Sequence, residues 1–134
     1  MQHQKPRQIA YRLLCRHARS GAFIDALLDA AFEKAALEPL DRHFVQELVY
    51  GVIRWGATLD WLISRKAPGK QRPQVRILLQ MGLYQMFWMT RVPDHAAVNE
   101  TVQLARDFGL AAHASFVNAL LRAYAREREE TLSL

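Results

Sequence analysis

The stretch VRILLQMGLYQMFWM, residues 75–89, decides how this chain is read. It is the most apolar run in the sequence. Arg76, Gln80 and Gln85 interrupt it, and it is shorter than the roughly 20 apolar residues that cross a bilayer as a helix. Strand-like alternation is absent. Leu79, Leu83, Met86 and Phe87 share helical spacing. The stretch therefore predicts a buried helix, begun by Pro73 at its first position and running to about Thr90.

The same helical grammar extends in both directions. Downstream, Pro93 breaks the chain, Asp94 is placed to cap a sixth helix and Gly109 to end it. A seventh helix puts Phe116, Val117, Leu120, Leu121 and Tyr124 on one face. Upstream, Leu59, Leu62 and Ile63 belong to a fourth helix ended by Pro68 and Gly69. Asp41 is placed to cap a third, whose apolar stripe is Phe44, Val45, Leu48, Val49 and Val52. A second runs from about Phe23 to Ala36, and a first from Pro6 to about Ala18, with Gly21 beyond it. The class is all-α, with about seven short helices and brief connections. Leu48, Val52, Leu79, Leu83, Phe116, Leu120 and Leu121 are expected in the core. AREREE, residues 125–130, reads as a solvated helical tail.

A chain of 134 residues fits one domain, read here as 1–134 with 120–134 as terminal helix and tail. It can bury a core without metals or disulfides. Cys15 is the only cysteine, which suits a reducing compartment and a cytoplasmic location. The first residues lack the apolar core of a signal peptide.

Charge is distributed unevenly. The net charge is +5, and KPRQIAYRLLCRHARS, residues 5–20, holds five Lys or Arg and no Asp or Glu, so the remainder sums to neutral. At about 100° per residue, Arg12, Arg16 and Arg19 fall within an arc of about 60°. Ile9, Leu13, Leu14 and Ala18 occupy the other side, and Lys5, before the helix, can extend the stripe. Arg7 lies off it near the first turn. A merely solvated face usually mixes in carboxylates for i, i+4 pairs; this helix has none. An unrelieved stripe of this kind favours an anionic partner, RNA or DNA first. A second cluster, Arg65, Lys66, Lys70, Arg72 and Arg76, lies in a region without a carboxylate between Asp60 and Asp94. Lys70 and Arg72 sit in a loop from which side chains reach phosphates. Tyr84, Phe87 and Trp88 could stack bases, but their spacing favours core packing. Trp55 and Trp61 flank the join of helices three and four and read as core or semi-exposed packing.

The ingredients of catalysis are missing from this pattern. His3, His17, His43, His95 and His113 are scattered without ligand spacing, which argues against a metal. His17 falls on the apolar face of helix one and reads as a packed histidine. The arginines around Cys15 would favour its thiolate, yet no second catalytic group accompanies it. No Gly-rich turn is present to hold a nucleotide or methyl donor. Asn99, Glu100 and Asn118 read as buried interhelical hydrogen-bonding residues rather than a catalytic set. No cofactor is expected.

ELVYGVIRW (47–55), LDWLI (59–63), GKQR (69–72), GLYQ (82–85), PDHAAVNETVQLA (93–105) and FVNALLR (116–122) together resemble the NusB family. Within it they are most similar to the NusB-like N-terminal domains of the RsmB (Sun) class of bacterial cytosine-5 methyltransferases of small-subunit ribosomal RNA. The resemblance runs from about residue 6 to 126. It implies two small helical bundles packed across each other. It also implies RNA contacts by the first helix at Arg7, Arg12 and Arg16, with Arg19 extending them. The RNA-binding set expected is therefore Lys5, Arg7, Arg12, Arg16, Arg19, Lys70, Arg72 and Arg76. The implied function is to help position ribosomal RNA for methylation by an adjoining catalytic domain, in cis or in trans, with no catalysis by this chain and no membrane contact. Two alternatives stand beside it: an antitermination factor acting with a NusE-like ribosomal protein on boxA-like RNA, and a structural domain packing on a catalytic partner.

Overall fold

A computed structural model describes residues 4–134, and it is helical throughout. The helices are α1 (Gln4–Ser20), α2 (Ile24–Lys34), α3 (Pro39–Arg54), α4 (Gly56–Lys66), α5 (Pro73–Trp88), α6 (Asp94–Asp107), α7 (Ala114–Arg126) and α8 (Arg128–Leu132), with a 3₁₀ turn at Ala111–His113 before α7. The chain divides into two compact units, one ending at Trp55 and one spanning Gly56–Leu134.

In the first unit α1 packs on both α2 and α3. Ile9, Leu13 and Leu14 are buried, as are Leu27 and Leu28 of α2 and Val45, Leu48, Val49 and Val52 of α3. Ala18, expected on the buried side, is exposed because it lies in the last turn of α1. That end is closed by Gly21, whose φ of +70° is accessible to glycine and whose N–H reaches His17 O at 3.0 Å.

The second unit is organised by α5, which packs on α4, α6 and α7. Its buried residues run continuously from Ile77 to Leu79 and from Met81 to Met86, so hardly any side of the helix reaches water. Gln85 lies among them, and its amide Nε2 donates to Met81 O at 3.0 Å. Gly82 sits where three helices meet: a Cβ there would come within 2.7 Å of Leu121 Cδ1 on α7 and 3.2 Å of Thr101 Oγ1 on α6. Tyr124 of α7 is fully buried and donates its hydroxyl to Leu62 O of α4 at 2.5 Å. At the end of α6, Leu110 N–H reaches Ala105 O at 2.7 Å and Gly109 N–H reaches Arg106 O at 3.5 Å, a Schellman closure around Gly109 at φ +75°.

Helix starts depart from expectation for a common reason. Pro39 and Asp94 are the first helical residues of α3 and α6, so Glu38 and Pro93 take the capping positions and neither makes a side-chain cap bond. Proline's fixed φ is already helical, which pulls the start of α3 ahead of Asp41. Asp41 and Asp94 instead lie in first turns, where a carboxylate meets the positive end of the helix dipole. Phe116 is only half-buried, unlike its neighbours Val117, Leu120 and Leu121. The tail is not merely solvated: Glu127 accepts from Lys66 Nζ at 2.8 Å, Arg128 pairs with Asp94 at 3.0 Å, and the Arg128 guanidinium lies 5.1 Å from the Phe87 ring centre.

Candidate nucleic-acid interface

Helix α1 begins two residues before Pro6, which sits in the first turn where its missing N–H leaves no bond unmade. Lys5 is thereby helical and exposed. Its spacing to Arg12, Arg16 and Arg19 puts all four within an arc of about 60° at helical pitch. All four are exposed, while Ile9, Ala10, Tyr11, Leu13 and Leu14 are buried. The helix is thus embedded over most of its circumference and shows solvent a narrow cationic stripe, flanked by the half-buried Gln8 and Cys15. No residue of α1 carries a carboxylate. Near its C-terminal end Ser20 Oγ donates to Arg16 O at 2.7 Å, and His17 Nδ1 lies 2.8 Å from Ala22 O. His17 is therefore half-buried and tied to the turn after α1.

Arg7 does not belong to this surface. It is 6% exposed, with its guanidinium 4.9 Å from the Phe44 ring centre on α3. Its position on the wheel faces the neighbouring helix, so it contributes packing and a cation–π contact rather than a charge available to a backbone phosphate. Cys15 departs from expectation as well. Burial pushes its thiol pKa up, against the Tyr11 hydrogen bond and the Arg19 charge that pull it down, so desolvation outweighs the arginines.

The second cluster is less uniform than its sequence. Lys66 is held by Glu127 and also lies 4.7 Å from the Tyr124 ring centre. Arg76 Nε approaches Asp60 Oδ1 to 4.0 Å, and the same oxygen accepts from Gln80 Nε2 at 2.7 Å. Arg72 Nη1 lies 3.5 Å from His113 Nε2, and Arg65 lies over the Trp61 ring at 5.3 Å. Lys70, in the loop between α4 and α5, is exposed. The fold thus places Lys5, Arg12, Arg16 and Arg19 on one helix face of the first unit, and Lys70, Arg72 and Arg76 on the second.

Of the aromatic residues of α5, Tyr84 is buried and Phe87 and Trp88 are half-buried. Tyr84 and Trp88 stack at 5.4 Å with an interplanar angle of 7°, and Phe87 meets Tyr124 edge-on at 6.1 Å. Trp55 and Trp61 are exposed.

On the second unit, α6 and α7 share a polar face. Asn99, Gln103 and Arg106 on α6 and Ser115 and Asn118 on α7 line an open polar groove of about 420 Å³. Asn99 is exposed, Glu100 and Asn118 are half-buried, and Asn118 Oδ1 accepts from Arg122 Nε at 3.0 Å along its own helix. None of the three is fully buried, and the Asn118 bond to Arg122 stays within its own helix. The i, i+4, i+7 spacing of Asn99, Gln103 and Arg106 is the sequence signal that marks a polar helix face. Among the described residues no cluster of His, Cys, Asp and Glu has the makings of a metal site, and no helix is long and apolar enough to cross a membrane. His3 lies outside the described residues.

Comparison with known proteins agrees with this architecture. The chain is similar to a probable ribosomal RNA small subunit methyltransferase B of Synechocystis sp., 42% identical over 127 residues that make up 92% of this chain and 28% of that protein. A counterpart of the same name in Bacillus subtilis is 34% identical, over 95% of this chain and 29% of its own length. The chain thus spans under a third of the curated relatives it matches. The fold is similar to that in a crystal structure of antitermination factors NusB and NusE in complex with double-stranded RNA, with a TM-score of 0.81 at 18% identity, covering 91% of this chain and 94% of that one. The NusB family pattern matches residues 4–126, nearly the whole all-helical chain, and the chain belongs to the NusB family.

Proposed function

We propose that residues 1–134 form a single RNA-binding module that helps position small-subunit ribosomal RNA for cytosine-5 methylation, with the chemistry performed by an adjoining catalytic domain. One observation carries the reading: Lys5, Arg12, Arg16 and Arg19 stand exposed along one face of a helix that is otherwise embedded and has no carboxylate. Guanidinium groups spaced one helical turn apart can follow a phosphate backbone, fixing register and orientation while carrying little base information. Lys70, Arg72 and Arg76 would add phosphate contacts from the second unit.

The methylation role rests on the relatives at 34% and 42% identity, both named as small subunit methyltransferases and both more than three times the length of the matched segment. That weighs more than the likeness at 18% identity to a NusB–NusE assembly, so boxA binding with a NusE-like partner is the second reading. In either case the chain supplies binding and no catalytic step, and a ribosomal RNA substrate supports a cytoplasmic location.

The test is a salt titration of binding to a small-subunit ribosomal RNA fragment, comparing the unaltered chain with Arg12→Gln/Arg16→Gln. Loss of phosphate contacts should flatten the slope of log affinity against log salt by roughly 0.7 per contact on single-stranded RNA. Unchanged affinity and slope in a folded double variant would refute the stripe as the interface. Competition with boxA RNA separates the two readings: preference for boxA supports the antitermination role.

A further inference from the structure

Trp61 is 49% exposed, unusual for a ring of that size. It projects from the outer side of α4, and Arg65, one turn later on the same face, lies 5.3 Å from its ring centre. The guanidinium steadies the indole and covers part of it, yet about half the residue still meets solvent. Two carboxylates of the same unit are engaged. Asp60, the adjacent carboxylate, is engaged by Gln80 at 2.7 Å and approached by Arg76 at 4.0 Å, and Glu127 is engaged by Lys66 at 2.8 Å. The basic side chains Arg65, Lys70, Arg72 and Arg76 remain exposed.

We propose that Trp61, braced by Arg65, is a stacking platform for one base of single-stranded RNA. An indole offers a π-face to any base, and Arg65 with the exposed cations of the same unit supplies the phosphate attraction that brings a strand to it. A partner protein could also use an exposed Trp–Arg pair. The observation that favours RNA is electrostatic: Asp60 and Glu127 are engaged, while Arg65, Lys70, Arg72 and Arg76 of the same unit remain exposed. This inference rests on the RNA-binding reading above and adds a base contact to its phosphate contacts.

The experiment uses the full 134-residue chain with Trp55→Phe and Trp88→Phe, which leaves Trp61 as the only tryptophan, with circular dichroism as the folding check. Short oligouridylate and oligoadenylate should quench Trp61 emission, while inorganic polyphosphate, which has charge but no bases, should not. In the otherwise unaltered chain, Trp61→Leu should weaken oligonucleotide binding on the order of 10-fold. Its salt slope should stay unchanged, and Trp61→Phe should retain most of the affinity. Oligonucleotide binding with silent Trp61 emission and an unaffected Trp61→Leu variant would overturn the platform and leave the α1 interface standing. Equal quenching by polyphosphate, or by an acidic peptide, would also overturn it, in favour of simple charge or a protein contact. Absence of any oligonucleotide binding would remove both readings together.

Discussion

Residues 5–20 and 65–76 each carry five basic side chains and no acidic one, and the fold treats them in opposite ways. In the first stretch four cations share one exposed helix face and the fifth, Arg7, is turned inward against Phe44. In the second, Lys66 meets Glu127 from 61 residues away, Arg76 meets Asp60, and Arg65 lies over Trp61. A run of positive charge in a sequence is therefore not yet a positive surface. The potential a phosphate meets depends on which side chains the helix register keeps outward and which counter-charges the fold delivers.

The largest effect expected of any substitution lies in the core that supports the second cluster. Leu83 is fully buried on α5, and Leu83→Ala should cost roughly 2–5 kcal/mol through lost burial and a residual cavity. A thermal melt matching the unaltered protein would show that α5 is not the buried scaffold described here, and the ordering of Lys66, Arg72 and Arg76 around it would lose its basis.

The contrast within α1 is the sharper test. Arg7→Ala should destabilise the protein by roughly 1–3 kcal/mol, through lost stem packing and the contact with Phe44. It should leave the salt dependence of RNA binding where it was. The Arg12→Gln/Arg16→Gln pair should do the reverse: stability within about 0.5 kcal/mol of the parent, as for surface positions generally, and a flatter salt slope. Denaturant melts and salt titrations of both variants decide it. If Arg7→Ala flattens the slope without loss of stability, the inward and outward arginines have been assigned the wrong way round.

The smallest effect concerns Glu127. Its hydrogen bond to Lys66 holds the carboxyl below the usual glutamate range, against an opposing desolvation. A carboxylate depressed in the folded state adds stability above the ordinary glutamate pKa and loses it as pH falls through the depressed value. The acid limb of the stability curve should therefore lose this contribution in Lys66→Met. Because the pair is only half-buried, its effect should also shrink with added salt. A Glu127 carboxyl that titrates identically by NMR in the parent and Lys66→Met would show that Lys66 does not pair with Glu127 in solution.

The sequence by itself determined much of this protein. Helical period, Pro73 and the glycines at 21 and 109 mark the elements, because those signals act within a few residues of chain. The core positions Leu48, Val52, Leu79, Leu83, Leu120 and Leu121 follow from the same periodicity, and so does the arc of Arg12, Arg16 and Arg19. Tertiary structure alone decided the fate of individual polar groups. Arg7 is turned inward against Phe44, while Arg12 is exposed. Cys15 has three arginines close by in sequence, yet burial governs its thiol. Gln85 looked like an interruption of an apolar run and is instead satisfied by the carbonyl of Met81. Glu127 and Asp94 tie down a tail that reads as free. Desolvation and charge pairing depend on distances in space between residues far apart in the chain, and no local pattern encodes those distances.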